Sequence, residues 1–119
     1  MSKTVLIVDD DPTQRRLLQV VIEKSGFSTL QADNGNSALE HALGPDGEKI
    51  DVVLLDLVMP GMNGMECLAE LSKNRPELPV LVLTGRGSID AVVAAMQAGA
   101  RDFIVKPASP ERMIVSIRN

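Results

Sequence analysis

Aromatic and basic side chains are scarce in this sequence, and the scarcity narrows its chemistry before any motif is read. Tryptophan and tyrosine are absent and phenylalanine occurs twice, at Phe27 and Phe103, so flat side chains on which successive bases could stack are missing. Lys and Arg total 12 against 16 Asp and Glu, for a net charge of −4, with no dense basic run to neutralise a phosphate backbone. Binding of nucleic acid through this domain is not expected. The one cysteine, Cys67, cannot close an internal disulfide; in a helical stretch it reads as a small buried apolar residue. No apolar run approaches the roughly 20 residues of a membrane-spanning helix. Only five apolar or neutral residues separate Lys3 from Asp9, too few for a signal-peptide core. A soluble, cytoplasmic protein with no membrane partner is expected.

What the sequence does contain is a regular alternation of short apolar strands and amphipathic helices, an α/β pattern that fits one domain over residues 1–119. Strands are predicted at Val5–Val8, Ser28–Ala32, Val52–Leu55, Val80–Leu83 and Phe103–Val105. The first helix covers Pro12–Lys24: Asp11 can cap it, Pro12 suits its first position and Gly26 ends it. Its apolar stripe is Leu17, Leu18, Val21 and Ile22. A second helix spans Ser37–Leu43, with Ala38, Leu39, Ala42 and Leu43 on one face, and Gly44-Pro45-Asp46-Gly47 makes a turn. A loop, Pro60-Gly61-Met62-Asn63-Gly64, leads to a third helix ending near Lys73, with Met65, Leu68, Ala69 and Leu71 inward. In the fourth, Ile89–Ala98, the spacing of Ile89, Val92, Val93 and Met96 predicts a buried face. Ser109-Pro110 opens a fifth carrying Met113, Ile114 and Ile117, which is expected to be cut short at Asn119. Strand followed by helix each time predicts right-handed crossovers and a parallel sheet covered on both faces.

Four of the strands stop at a chemically loaded residue: Asp9-Asp10, Asp56, Thr84 and Lys106-Pro107. In a parallel α/β sheet these ends lie on one edge, where ligands bind. Capping accounts for Asp11. If the third strand lies beside the first, Asp9, Asp10 and Asp56 make a negative excess facing one lysine, which a divalent cation would relieve; hard carboxylate oxygens suit Mg²⁺. A carboxylate can act as nucleophile and take phosphate as an aspartyl-phosphate, which makes Asp56 the candidate acceptor. Lys106 offers a compact positive charge to a phosphoryl oxygen. Thr84 offers a hydroxyl, with Gly85 leaving room beside it, and Pro107 admits a cis bond before it.

Together these residues resemble the receiver domain of bacterial two-component response regulators, over essentially the whole chain. The resemblance implies a doubly wound, flavodoxin-like fold of five strand–helix units with strand order 2-1-3-4-5. It implies Asp56 as phosphoacceptor, and Asp10, Asp56 and the Val58 backbone carbonyl as Mg²⁺ ligands with Asp9 in support. Lys106 would pair with the phosphate, and Thr84 and Phe103 would be the switch hydroxyl and switch aromatic. The implied donor is a sensor histidine kinase or phosphotransfer protein. The implied output is a changed face of helix 4, strand 5 and helix 5 that forms a homodimer or contacts a C-terminal effector domain absent from this chain, such as a transcriptional one. Such a domain is regulatory, not a turnover enzyme, and assists only its own phosphorylation and dephosphorylation. Ala108 stands where many relatives carry a larger apolar residue.

Three other readings compete. An aspartate-nucleophile phosphatase of the haloacid-dehalogenase type needs a second aspartate two positions after the nucleophile, where this sequence has Val58. A dinucleotide-binding fold needs G-x-G-x-x-G after the first strand, where this one has Asp9-Asp10-Asp11-Pro12. A receiver-like interaction module not regulated by phosphorylation would not need the full set of site residues. His41, the only histidine, has no Cys or His at metal-ligand spacing and reads as a surface residue.

Overall fold

A computed structural model describes residues 3–57, 64–85 and 89–119. Along the chain run β1 (Thr4–Val8), α1 (Pro12–Lys24), β2 (Ser28–Ala32), α2 (Gly35–Leu43), β3 (Val52–Asp56), α3 (Gly64–Asn74), β4 (Val80–Thr84), α4 (Ile89–Gln97), β5 (Asp102–Val105) and α5 (Pro110–Arg118). Every predicted strand and helix is present. Helix α2 starts two residues earlier than its apolar pattern indicates, because Asn34 caps it by accepting from the Ser37 amide at 2.8 Å. Asp11 caps α1 as expected, accepting from the amides of Thr13 and Gln14. The turn after α2 continues into a single 3-10 turn at Gly47–Lys49. Of the predicted loop after β3, Pro60, Gly61, Met62 and Asn63 lie outside the described residues.

The five strands are parallel in the order β2-β1-β3-β4-β5, the flavodoxin-like arrangement. Alternation along each strand divides the core in two. Leu6, Val8, Val53, Leu55, Val80 and Val82 face α2, α3 and α4, meeting Ala38, Ala42, Cys67, Leu68, Leu71 and Ala95. Val5, Ile7, Leu54, Leu81, Leu83 and Ile104 face α1 and α5, meeting Leu18, Ile22, Met113, Ile114 and Ile117. Each fully buried Leu or Ile of this set contributes about 1.5–3 kcal/mol through removal from water. Cys67 is buried, and burial pushes its thiol up to about 11, in keeping with an inert packing role.

In four helices the buried face departs from the expected one, most of all in α4. In α4 the large residues point outward, with Ile89 74%, Val93 50% and Met96 40% exposed, while Ala95 is buried and Ala91 and Ala98 pack on the core. This helix is apolar on more than one face, so periodicity alone could not say which face turned in; the alanine face allows the closer approach to the sheet. In α1, Leu17 is exposed, and so is Leu43 at the end of α2; both lie at the margin of a stripe centred on their buried neighbours. Ala69 of α3 is likewise exposed, and Cys67 takes the inward position.

The entry to α3 is tight. The Gly64 amide donates to the Leu57 carbonyl at 3.0 Å, and a Cβ there would sit 2.3 Å from Leu57 Cα and 2.5 Å from the Asp56 carbonyl oxygen. Because those atoms are backbone, Gly64→Ala should destabilise the domain by about 1–3 kcal/mol, the usual cost of overpacking, measured by urea unfolding; an unchanged midpoint would show that the α3 entry can shift freely.

Candidate functional site

Register sets the site. Val8 of β1 pairs with Leu55 of β3, so the next residues, Asp9 and Asp56, leave adjacent strands at one level. Asp9 and Asp56 are buried and Asp10 is exposed at the rim, and each offers a carboxylate oxygen within 4.8 Å of the others. The next neighbour, β4, ends in buried Thr84, and beyond β5 the Lys106 ammonium reaches back to Asp56, Nζ to Oδ2 being 2.9 Å. The Lys106–Pro107 bond is cis.

Asp9 shows what this crowding does. Its Oδ1 accepts from the Asp11 amide at 2.9 Å, while Oδ2 is buried without a hydrogen-bond partner. Burial holds the Asp9 carboxyl above the usual aspartate range; the Asp11 amide opposes this, Asp56 adds to it, Lys106 opposes it and Asp10 adds to it. An unpartnered buried oxygen is costly, and here it stands among three carboxylates that share one ammonium. Such a set fits a divalent cation with hard oxygen ligands.

The remaining sequence candidates divide. The Thr84 hydroxyl donates to the Gly85 carbonyl at 2.9 Å. Half-buried Phe103 borders, with Thr84, Ile89 and Val92, a cavity of about 210 Å³. Val58 lies outside the described residues. His41 is partly buried, with Nδ1 3.8 Å from Asp46 Oδ2, and takes no part in the carboxylate group. Sequence reasoning passed over Arg15 and Gln31: the Arg15 guanidinium donates to the Asp9 carbonyl at 2.8 Å and to Gln31 Oε1 at 3.1 Å. The available signal was an arginine one turn into the helix that begins behind the acidic strand end.

The raised Asp9 carboxyl carries a pH consequence. The folded state holds this proton more tightly than the unfolded one, so stability from this group falls as pH rises from the ordinary aspartate value of 3.8 through the raised folded value. Asp9→Asn should therefore raise the thermal midpoint of the metal-free protein at pH 7, the gain vanishing below the ordinary aspartate range. A lower midpoint at pH 7 would mean that ionised Asp9 stabilises the fold. A divalent cation should stabilise the wild type by about 1.4 kcal/mol for each tenfold excess over its dissociation constant.

Comparison with known proteins agrees with this geometry. The family model described as the response regulator receiver domain matches residues 5–118. The chain is 38% identical over 118 residues to chemotaxis protein CheY of Thermotoga maritima, covering 98% of this chain and 96% of that protein. It is 34% identical to the phosphate regulon transcriptional regulatory protein PhoB of Pseudomonas aeruginosa, over 99% of this chain and 51% of PhoB, so it spans about half of that relative. A solved receiver domain from Clostridium thermocellum superposes with a TM-score of 0.93 at 31% identity, covering 98% of this chain and 92% of that one. With its strand order and its edge of acids, hydroxyl and ammonium, the chain belongs to the response regulator receiver domain family.

Proposed function

We propose that residues 1–119 form a single phosphoacceptor domain in which Asp56, with Mg²⁺, takes a phosphoryl group from a sensor histidine kinase or phosphotransfer protein in the cytoplasm. The observation that carries this reading is the grouping of Asp9, Asp10 and Asp56 with the Lys106 ammonium on Asp56. An Asp56 carboxylate oxygen attacks phosphorus in line, the new O–P bond forms as the donor imidazole's N–P bond breaks, and the donor nitrogen leaves with the electron pair. Asp10 and Asp56, with the Val58 carbonyl, would hold Mg²⁺, and Asp9 would support them. When bound, Mg²⁺ supplies positive charge that offsets repulsion between the carboxylate and the phosphoryl oxygens. Lys106, already on Asp56, is within reach of the oxygens that would arrive there.

The signal then passes through donors now otherwise engaged. The Thr84 hydroxyl gives up the Gly85 carbonyl for a phosphoryl oxygen, a charge-assisted bond of about twice the strength of a neutral one. Phe103 moves into the cavity beside Thr84. Its carbonyl accepts from Arg112 of α5 at 3.0 Å, and Ser116 of α5 donates to Asp102 at 2.9 Å, so β5 and α5 are tied. The outward side chains Ile89, Val93 and Met96 of α4, with Val105 of β5 and Val115 of α5, make this face apolar. Its partner is a second copy or a C-terminal effector domain, and the PhoB relative supports a transcriptional output. Phosphate biases an equilibrium between the two arrangements by its differential affinity.

Incubation with a small phosphodonor and Mg²⁺ should label the wild type with an acid-labile phosphoryl group, and Asp56→Asn should abolish the label with its circular dichroism unchanged. Label persisting in the variant would name another acceptor; a wild type that never labels would favour the unphosphorylated interaction module. Asp10→Ala should weaken Mg²⁺ binding at least tenfold, the scale of a lost ligand or outer-shell partner, followed by amide NMR titration. An unchanged affinity would remove Asp10 from the cation site.

A further inference from the structure

Asp9 is held at every polar atom but one. Its amide donates to the Ala32 carbonyl of β2 at 3.1 Å, its carbonyl accepts from Arg15 at 2.8 Å, and Oδ1 accepts from the Asp11 amide at 2.9 Å. Oδ2 alone is unpartnered. Of these restraints, the amide bonds belong to the sheet edge and the α1 turn. The Arg15 bond is a side chain's, and it is braced: the same guanidinium donates through Nε to Gln31 Oε1 at 3.1 Å, on the strand flanking β1. Arginine's planar fork suits this two-point grip, which a lysine cannot reproduce.

We propose that Arg15 is a positioning residue for the cation site, gripping the Asp9 carbonyl so that the peptide joining Asp9 to Asp10 cannot rotate and the two carboxylates stay aimed at one point with Asp56. This rests on the reading of the three carboxylates as a cation site. A half-buried guanidinium looks unhelpful beside such a site, because a fixed positive charge repels a second cation. That sign makes the role testable. If Arg15 acts through its charge, removing it tightens cation binding; if it only supports the fold, removal lowers stability and leaves affinity alone; if it positions the acids, removal weakens binding although a repelling charge has gone.

The experiment is Mg²⁺ titration of the 119-residue chain, with the dissociation constant from amide NMR and the thermal midpoint recorded alongside. Arg15→Met is expected to raise the dissociation constant about tenfold, the lower end of what loss of an outer-shell partner costs. Arg15→Lys should recover part of that loss. Gln31→Met, which leaves the Asp9 bond in place and removes only its brace, should give a smaller rise and keeps the test open should Arg15→Met fold poorly. Arg16→Met, which removes an equal charge from the exposed side of α1, should bind Mg²⁺ as tightly as the wild type or more so. An affinity in Arg15→Met equal to or tighter than that of the wild type, or a loss equalled by Arg16→Met, overturns the positioning role while leaving the cation site standing. A wild type that takes no Mg²⁺ overturns the site itself, and this role with it.

Discussion

Mutual repulsion among carboxylates at one edge of the sheet is the constraint on which the rest of this molecule depends. Parallel pairing of β1 and β3 in the observed register puts Asp9 and Asp56 side by side, and hydrophobic burial of both strands prevents them from moving apart. The domain carries one ammonium at this point, on Lys106. A fold concerned with stability alone would place an amide or an apolar side chain here. The cost of the cluster is borne by two layers of buried aliphatic side chains, and it leaves a site whose charge an added cation would complete and, on the proposed reading, an added phosphate would alter.

The two sides of the site are held by different contacts. Asp9 is braced by Ala32, Asp11 and Arg15, so the β1 edge holds its geometry. Toward β4 and β5 the Thr84 hydroxyl donates to its neighbour's carbonyl, and Phe103 lies beside open volume. On the proposed reading the acids bind without reorganising, and the Thr84 hydroxyl changes partner. Helix α4 suits this division. It meets the core through alanines, which interlock little, and its larger apolar residues face outward, where a partner's surface can cover them.

Much of this was legible in the residues. Strand ends are readable because four apolar runs stop abruptly at Asp9, Asp56, Thr84 and Lys106, and a parallel sheet puts such ends on one edge. Capping was readable at Asp11-Pro12, where local chemistry decides the structure. The inward face of α4 was not readable, since Ile89, Val92, Val93 and Met96 satisfy helical periodicity as well as Ala91, Ala95 and Ala98 do. Choosing between them requires knowing how near the helix lies to the sheet. Arg15 and Gln31 were also hidden, because their contact joins the first turn of α1 to β2 across 16 residues of sequence.

By itself, then, the sequence determined which residue types stand at the ends of strands and how many strand–helix units there are, since apolar periodicity and capping act over a few residues and need no partner. Tertiary structure decided which carboxylate is buried with an unpartnered oxygen, which side of α4 faces solvent, and which arginine holds the Asp9 peptide. Each of these depends on the distance between elements far apart in the chain, and that distance is set by packing density and strand register, which no local pattern encodes.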